Sequence, residues 1–235
     1  MKIEELIIKV IDLSDEGKYK EALKICDSII ESNSDYDRVY FERGVIYLNQ
    51  ERDELALLDF EKLLKINPDY PGAKDWYSKT LSDLGRNSKA ATVKLEELRS
   101  QPDGKYGMGV SPNDWAECAR NFIEAGYDEI AKSVLEEYFN QYEPNVRNYK
   151  SYETAPIRVY AKLLLSLNKK ELALSESGKA IDSQHTVPAD YEVYIEALIE
   201  NNQTEKASIE INKYVSEIHD GYETSKIVEL KKRIK

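Results

Sequence analysis

Six alanines recur along the chain at intervals close to 34 residues, and each follows a turn and opens an amphipathic helical pattern. They are Ala22, Ala56, Ala90, Ala131, Ala173 and Ala207. Their spacings are 34, 34, 41, 42 and 34 residues, so about seven or eight extra residues enter at two junctions. A unit of this length cannot bury its apolar face alone and must stack on its neighbours. The period therefore predicts an array of stacked units.

Apolar and small residues within each unit lie three or four positions apart, which is the helical period. We place a helix A in the first half of each unit and a helix B in the second half. The second unit shows the pattern most clearly. Its residues are Tyr40, Gly44 and Tyr47 in helix A, then Ala56, Phe60, Leu63 and Leu64 in helix B, with Pro68 as the helix stop. This pattern predicts an all-α protein.

The fourth unit carries the most specific set of residues. They are Trp115, Cys118, Ala119, Phe122, Gly126, Ala131, Leu135, Tyr138 and Phe139. Tryptophan at position 4, a small residue at 8, an aromatic at 11 and alanine at 20 resemble the tetratricopeptide repeat. The resemblance covers nearly the whole chain and implies a right-handed α-solenoid of about six helix-turn-helix repeats, closed by a C-terminal capping helix. In a single domain, 1–235, the expected repeats are 3–36, 37–70, 71–104, 112–145, 154–187 and 188–221, and the expected cap is 222–235.

Helix B of the third unit departs from the pattern. The shared register would bury Lys94 and Glu97, and burying an unpaired charge is costly. A shift by one position turns three apolar residues inward instead, namely Ala91, Leu95 and Leu98. We therefore expect one extra residue in the turn at 86–89.

The two long junctions lie at about 101–111 and 141–153, each between a helix B and the next helix A. Insertions in a repeat array emerge on one face, which is often a binding face. The second insert makes Tyr142 and Tyr149 candidate partner contacts. Alternatively, the inserts accommodate a bend between two halves of three repeats each.

The chain has a net charge of −11. An acidic field opposes contact with phosphate backbones and favours cationic partners, so nucleic acid is not an expected ligand. No apolar run approaches the roughly 18 residues of a membrane span, and Glu4 and Glu5 interrupt the N-terminal apolar stretch, unlike a secretory signal. We expect a cytoplasmic protein that does not bind membranes.

No constellation of residues indicates catalysis. The two histidines, His185 and His219, are not in a zinc-binding motif, and a metal site needs three or four convergent donors. The glycines of the first insert lack the lysine and serine or threonine of a phosphate-binding loop. We expect no catalytic residue, no metal and no cofactor.

Tetratricopeptide repeat proteins usually bind ligands along an inner groove lined by helix A, and the resemblance implies which residues line it here. In the first two units they form an apolar patch of Ile7, Ile11, Phe41, Val45 and Leu48. In the fourth and fifth they form a basic patch of Arg120, Arg158 and Lys162. The apolar patch indicates a peptide or helix site, unless neighbouring repeats bury it.

The basic patch suits an acidic peptide, or pairs across the groove with the glutamates of the sixth unit, Glu192, Glu196 and Glu200. Family members that hold chaperone tails use a clamp of lysine, asparagine and arginine. In the first three units only Lys79 matches that clamp, which disfavours a co-chaperone of that type.

The favoured function is a non-catalytic adaptor that binds a protein or peptide in the groove. One alternative is an immunity or antitoxin protein that neutralises a basic toxin, suggested by the charge of −11 and the tyrosine-rich inserts. Another alternative is the regulatory domain of an enzyme complex. The sequence leaves the oligomeric state open.

Overall fold

A computed structural model describes residues 2–100, 111–142, 154–183, 186–218 and 223–234. Within these ranges the regular secondary structure is helical throughout, with no β-strand. The chain divides into two compact units, Met1–Ser100 and Gln101–Lys235. The division falls between the third and fourth expected repeats, and the single-domain organisation stays a prediction.

In the part of the chain that the structure describes, each unit contains three helical pairs, and one further helix follows in the second unit. The helices of the first unit are α1 (Ile3–Asp15), α2 (Tyr19–Ser32), α3 (Asp37–Leu48), α4 (Asp53–Ile66), α5 (Ala73–Asp83) and α6 (Asn87–Ser100). Those of the second are α7 (Pro112–Glu124), α8 (Asp128–Tyr142), α9 (Ala155–Ser166), α10 (Lys170–Ile181), α11 (Pro188–Glu200), α12 (Thr204–Lys213) and α13 (Ser225–Ile234), with a π-helical turn at Tyr214–Ile218. The predicted class, an all-α solenoid of tetratricopeptide repeats, is confirmed.

The six repeating alanines have no solvent exposure. Each is the fourth residue of a helix B, where a methyl group lets the paired helix A approach closely. Gly44 serves the same purpose in helix A of the second repeat, because an added Cβ would lie 2.8 Å from the ring of Phe60. Small residues at the crossing of each pair thus set the packing of the repeats.

All six turns between helix A and helix B have the same geometry. Five positions before each alanine, one residue has a positive φ: Gly17, Glu51, Gly85, Gly126, Asn168 and Asn202. The next residue donates its backbone N–H to a carbonyl five positions back, as in Lys18 to Leu13 at 2.8 Å and Arg86 to Leu81 at 2.7 Å. This is the Schellman arrangement that ends a helix.

The extra residue expected in the turn at 86–89 is absent, so that prediction was wrong, although Ala91, Leu95 and Leu98 are buried as expected. Gly85 and Ala90 keep the common spacing, and Lys94 is buried with 5% of its surface exposed. The ammonium of Lys94 pairs with Asp75 on α5 and lies 3.5 Å from a carboxylate oxygen of Glu97. Because these carboxylates compensate the buried charge, no shift of register is needed.

Helix α13 covers the last repeat of the second unit, as the predicted cap does, although it begins at Ser225 and residues 219–222 lie outside the described ranges. Its Ile227 and Leu230 have no solvent exposure, and it packs against both α11 and α12. These two apolar residues are therefore buried at the end of the second unit.

Nearly all of both expected inserts lies outside the described residues. The structure describes neither Tyr149 nor the side chain of Tyr142. Their proposed contacts with a partner stay predictions.

Candidate functional site

The apolar patch of the first unit is closed at one end. Ile7 has no solvent exposure and belongs to the core, so it cannot contact a ligand, and its expected place in an open groove is corrected. The reason is that α1 packs against both α2 and α3. The other members of the patch, Ile11, Phe41, Val45 and Leu48, are half-buried and pack against the core.

Phe41 joins an aromatic cluster inside the first unit. Its ring centroid lies 5.3 Å from that of Tyr70 and 6.2 Å from that of Phe60. Phe60 in turn stacks on Trp76 at 6.5 Å. Much of the apolar surface of Phe41 therefore packs inside the fold, which reduces the area that a partner can contact.

In the second unit, a cavity of about 270 Å³ lies between α7 and α9. We call it the basic cavity, because it brings together all three cations of the predicted basic patch. Its lining residues are Arg120, Ile123 and Glu124 from α7, and Arg158, Val159, Lys162, Leu163 and Ser166 from α9. The two helices are neighbours because each is helix A of its repeat.

Arg158 is fixed by a buried carboxylate. Its guanidinium donates to Asp190 at 2.5 Å, and the Asp190 side chain has no exposure. Asp190 also accepts hydrogen bonds from the hydroxyl of Thr154 and the backbone N–H of Val187, both at 3.0 Å. The expected pairing with the sixth repeat therefore occurs for Arg158, but through Asp190 and not through a glutamate.

Arg120 and Lys162 are exposed at the rim of the basic cavity. No carboxylate of the described residues lies within ion-pair distance of either side chain. Within the described ranges these two charges are therefore uncompensated, whereas that of Arg158 is paired with Asp190.

An adjoining cavity of about 430 Å³ shares Lys162 and Ser166 with the basic cavity. Its other lining residues are Leu165, Asn168, Lys170, Glu196 and Glu200. The two cavities are neighbours, and we call them together the recess; most of their lining comes from α7, α9 and α11, which are helix A of the fourth to sixth repeats.

The glutamates of the adjoining cavity already have cationic partners. Lys226 and Arg233 of α13 donate to Glu196 at 3.0 and 3.2 Å, and Arg233 also binds Glu200. The hydrogen bond from Lys170 lowers the pKa of Glu200. The cap helix therefore neutralises the acidic end of the recess, a role that its basic residues did not suggest from the sequence.

A third cavity, of about 620 Å³, is lined by residues of α8, α9 and α10. In this cavity the hydroxyl of Tyr160 donates a hydrogen bond to Glu136 at 2.9 Å, and the ammonium of Lys179 pairs with Glu176 at 2.7 Å. Burial raises the pKa of Tyr160, which keeps the phenol protonated. Both carboxylates therefore have partners within the fold, and the described ranges contain no cluster of three or more residues that could hold a metal ion.

Sequence reasoning missed Asp190 and the apolar side chains of the basic cavity, Ile123, Val159 and Leu163. Asp190 is the third residue of α11 and accepts the N–H of the residue before the helix, a capping role that the sequence Pro188-Ala-Asp could have suggested. Its second role, on Arg158 in the preceding repeat, requires the packing of α9 against α11.

The second helical pair of the first unit coincides with a family match. Residues 37–70 match the family model described as the tetratricopeptide repeat. The other five pairs repeat the same turn and the same buried alanine. The chain is a tetratricopeptide repeat protein.

One curated relative is the tetratricopeptide repeat and J domain-containing co-chaperone DNJ1 of Cryptococcus neoformans var. grubii serotype A. It is 31% identical over 90 residues, which cover 38% of this chain and 17% of that protein. The match thus reaches less than a fifth of the co-chaperone's length.

Solved structures share the fold of this tetratricopeptide repeat protein at low identity. Naa15/Naa10 bound to HypK-THB has a TM-score of 0.64 and 15% identity, over 98% of this chain and 34% of that one. YrrB, described as a tetratricopeptide repeat protein with an unusual peptide-binding site, has a TM-score of 0.60 and 14% identity, over 88% and 97% of the two chains. None of the helices in the described ranges has the length and apolar character needed to traverse a lipid bilayer.

Proposed function

We propose that this tetratricopeptide repeat protein is a non-catalytic adaptor that binds a peptide segment of a partner protein along the recess of the second unit. The observation that carries the proposal is the basic cavity, where Arg120 and Lys162 have no carboxylate partner among the described residues and lie beside apolar side chains. A site with convergent polar groups over an apolar floor is the usual form of a ligand site.

The form of the recess favours a chain segment over a small molecule. Small-molecule sites bury most of their ligand in one cleft, whereas here two open cavities adjoin through Lys162 and Ser166. An extended peptide fits such a surface, and the YrrB neighbour is described as having a peptide-binding site.

The first unit offers a weaker candidate surface. Phe41, Val45 and Leu48 are half-buried and pack on the core. We therefore rank this surface below the recess of the second unit, since apolar side chains already packed in the fold gain less from a ligand.

A photo-crosslinking amino acid placed at Ser166 tests this function. Ser166 is exposed and lines both the basic and the adjoining cavity. The matched control is Ser175, which is also exposed but lies on α10, a helix B. Each full-length variant is irradiated in lysate of the source cell, and the crosslinked peptides are identified by mass spectrometry.

We expect one partner segment to crosslink at Ser166, not at Ser175, and to be lost in Lys162→Glu. Equal crosslinking at both positions would contradict the proposal. Capture of a basic partner that persists in Lys162→Glu and disappears at raised salt would instead support the alternative of a protein that neutralises a basic toxin.

A further inference from the structure

We infer that the bound segment is acidic: it places a carboxylate between Arg120 and Lys162, and an apolar side chain against Ile123, above the packed base that Val159 and Leu163 form. This inference rests on the proposed function and names the chemistry of the ligand.

The two cations at the rim of the basic cavity indicate a ligand with a carboxylate. Arg120 and Lys162 lie on one cavity, and no carboxylate of the described ranges pairs with either side chain. Two like charges that share a cavity repel each other, and an anion between them removes that repulsion. Hydrogen bonds between a cation and a carboxylate are about twice as strong as neutral ones, so a carboxylate is the group that gains most here.

The remaining charged residues of the cavity do not cancel this preference. Arg158 is compensated by the fully buried Asp190. Glu124 also lines the cavity, so the wall presents one carboxylate against the two exposed cations of Arg120 and Lys162. Among the described residues that line this cavity, cations therefore outnumber carboxylates, in a chain whose net charge is −11.

The apolar part of the cavity lining indicates that the ligand also has an apolar side chain. Val159 and Leu163 lie one helical turn apart on α9, and Ile123 faces them from α7. Val159 is 6% exposed and Leu163 is 1% exposed, so these two side chains form the packed base of the cavity, and the half-buried Ile123 is the apolar side chain that a ligand can reach. A preformed apolar floor beneath cationic side chains fits an apolar residue next to an acidic one.

An array of random nine-residue peptides tests the inference on the full chain. Each peptide is made with a free and with an amidated C-terminus, because a carboxylate can come from a side chain or from a chain end. The probes are the wild type, the double variant Arg120→Glu/Lys162→Glu, and the control Lys24→Glu. Lys24 is exposed on α2 of the first unit.

We expect the wild type to select peptides with glutamate or aspartate beside an aliphatic residue, and selected peptides to bind about tenfold more weakly when glutamine replaces glutamate. Selection confined to free C-termini would assign the carboxylate to a chain end. The double variant should prefer lysine or arginine at the same place, and the control should match the wild type. Circular dichroism checks that each variant is folded.

Selection without charge preference, selection of basic peptides by the wild type, or no binder that depends on Arg120 and Lys162 would each overturn the inference. A segment that still crosslinks at Ser166 under those results leaves the adaptor function standing and removes only its acidic ligand. Loss of both signals would remove both proposals.

Discussion

Arg43 links three helices of the first unit through two carboxylates. It binds both oxygens of Asp59 on α4, at 2.7 and 2.8 Å, and Asp27 on α2 at 2.8 Å. The side chain of Asp59 is only 6% exposed. Burial raises the pKa of Asp59, and the hydrogen bonds from Arg43 oppose that rise. The fold therefore depends on Arg43 to keep a buried carboxylate ionised.

Replacing Arg43 with alanine should lower the free energy of unfolding by about 3 kcal/mol at pH 7, because the buried charge of Asp59 loses its partner. Without the guanidinium, the pKa of Asp59 rises further. The penalty is therefore present above that pKa and declines as the pH falls through it, since the native state then takes up a proton.

Urea unfolding at pH 7 and pH 5 measures both effects, with Arg43→Ala/Asp59→Asn as the control that removes the charge. The deficit should be smaller at pH 5 and partly restored in the double variant. A deficit that is equal at the two pH values would contradict this account of Asp59.

Cys26 is a fully buried thiol on α2. Burial raises its pKa to about 12, and only the thiolate reacts readily with alkylating agents. At pH 8 we expect native protein to resist iodoacetamide at Cys26, and urea-unfolded protein to react at the rate of a free thiol. A Cys118→Ser background isolates the signal. Rapid labelling of the native protein would show that α2 opens far more often than its packing implies.

At the scale of the helices, two glycines offer a matched test of helix-pair packing. A Cβ on Gly44 would lie 2.8 Å from the buried ring of Phe60, whereas one on Gly178 of α10 would lie 3.8 Å from Tyr194. Gly44→Ala should cost about 1–3 kcal/mol through overpacking. Gly178→Ala should stabilise by about 0.5–1 kcal/mol, because alanine favours the helix.

Thermal unfolding of both glycine variants beside the wild type is the measurement. The melting temperature should fall for Gly44→Ala and rise for Gly178→Ala. A rise for both would mean that the ring of Phe60 moves aside at little cost, and that small residues do not set the approach of α3 and α4.

The helices also show what the sequence could predict. The alanine period predicts the register of all six pairs, because a single small residue per crossing is a local requirement. The extra residue expected in the third pair was wrong, because the sequence does not show that Asp75 from a different helix compensates Lys94. Nor did it identify the turns at Glu51, Asn168 and Asn202 as left-handed, because glycine marks the other three.

Part of the candidate site could also be predicted from the sequence. The family register brought Arg120, Arg158 and Lys162 to one cavity, since equivalent positions of neighbouring repeats lie side by side. It could not show that Asp190 compensates Arg158 or that Ile7 is fully buried. Both depend on contacts between repeats, which the pattern within a single repeat does not predict.

At the scale of the whole molecule, the net charge of −11 and the positive basic cavity act at different distances. At about 0.01 M salt the Debye length is about 30 Å, and the acidic field slows the approach of an acidic peptide. At about 0.15 M it falls to about 8 Å, so repulsion weakens while contacts inside the cavity persist.

We therefore expect the association rate of an acidic peptide to increase between these salt concentrations, as measured by stopped-flow fluorescence. The dissociation rate should increase as well. A basic partner would show the opposite trend, because attraction to the acidic surface would accelerate its association at low salt. A decrease in association rate with salt would thus favour the toxin-neutralising alternative.

The most direct test of acidic peptide binding in the basic cavity uses one peptide selected from the array. Its affinity is measured for the wild type, Lys162→Glu and Lys24→Glu at about 0.15 M salt. Lys162→Glu should bind at least about tenfold more weakly, because a charge-assisted hydrogen bond is replaced by a like charge. Lys24→Glu changes the net charge equally and should bind as the wild type does. Equal weakening in both variants would show that the peptide responds to net charge and not to the basic cavity.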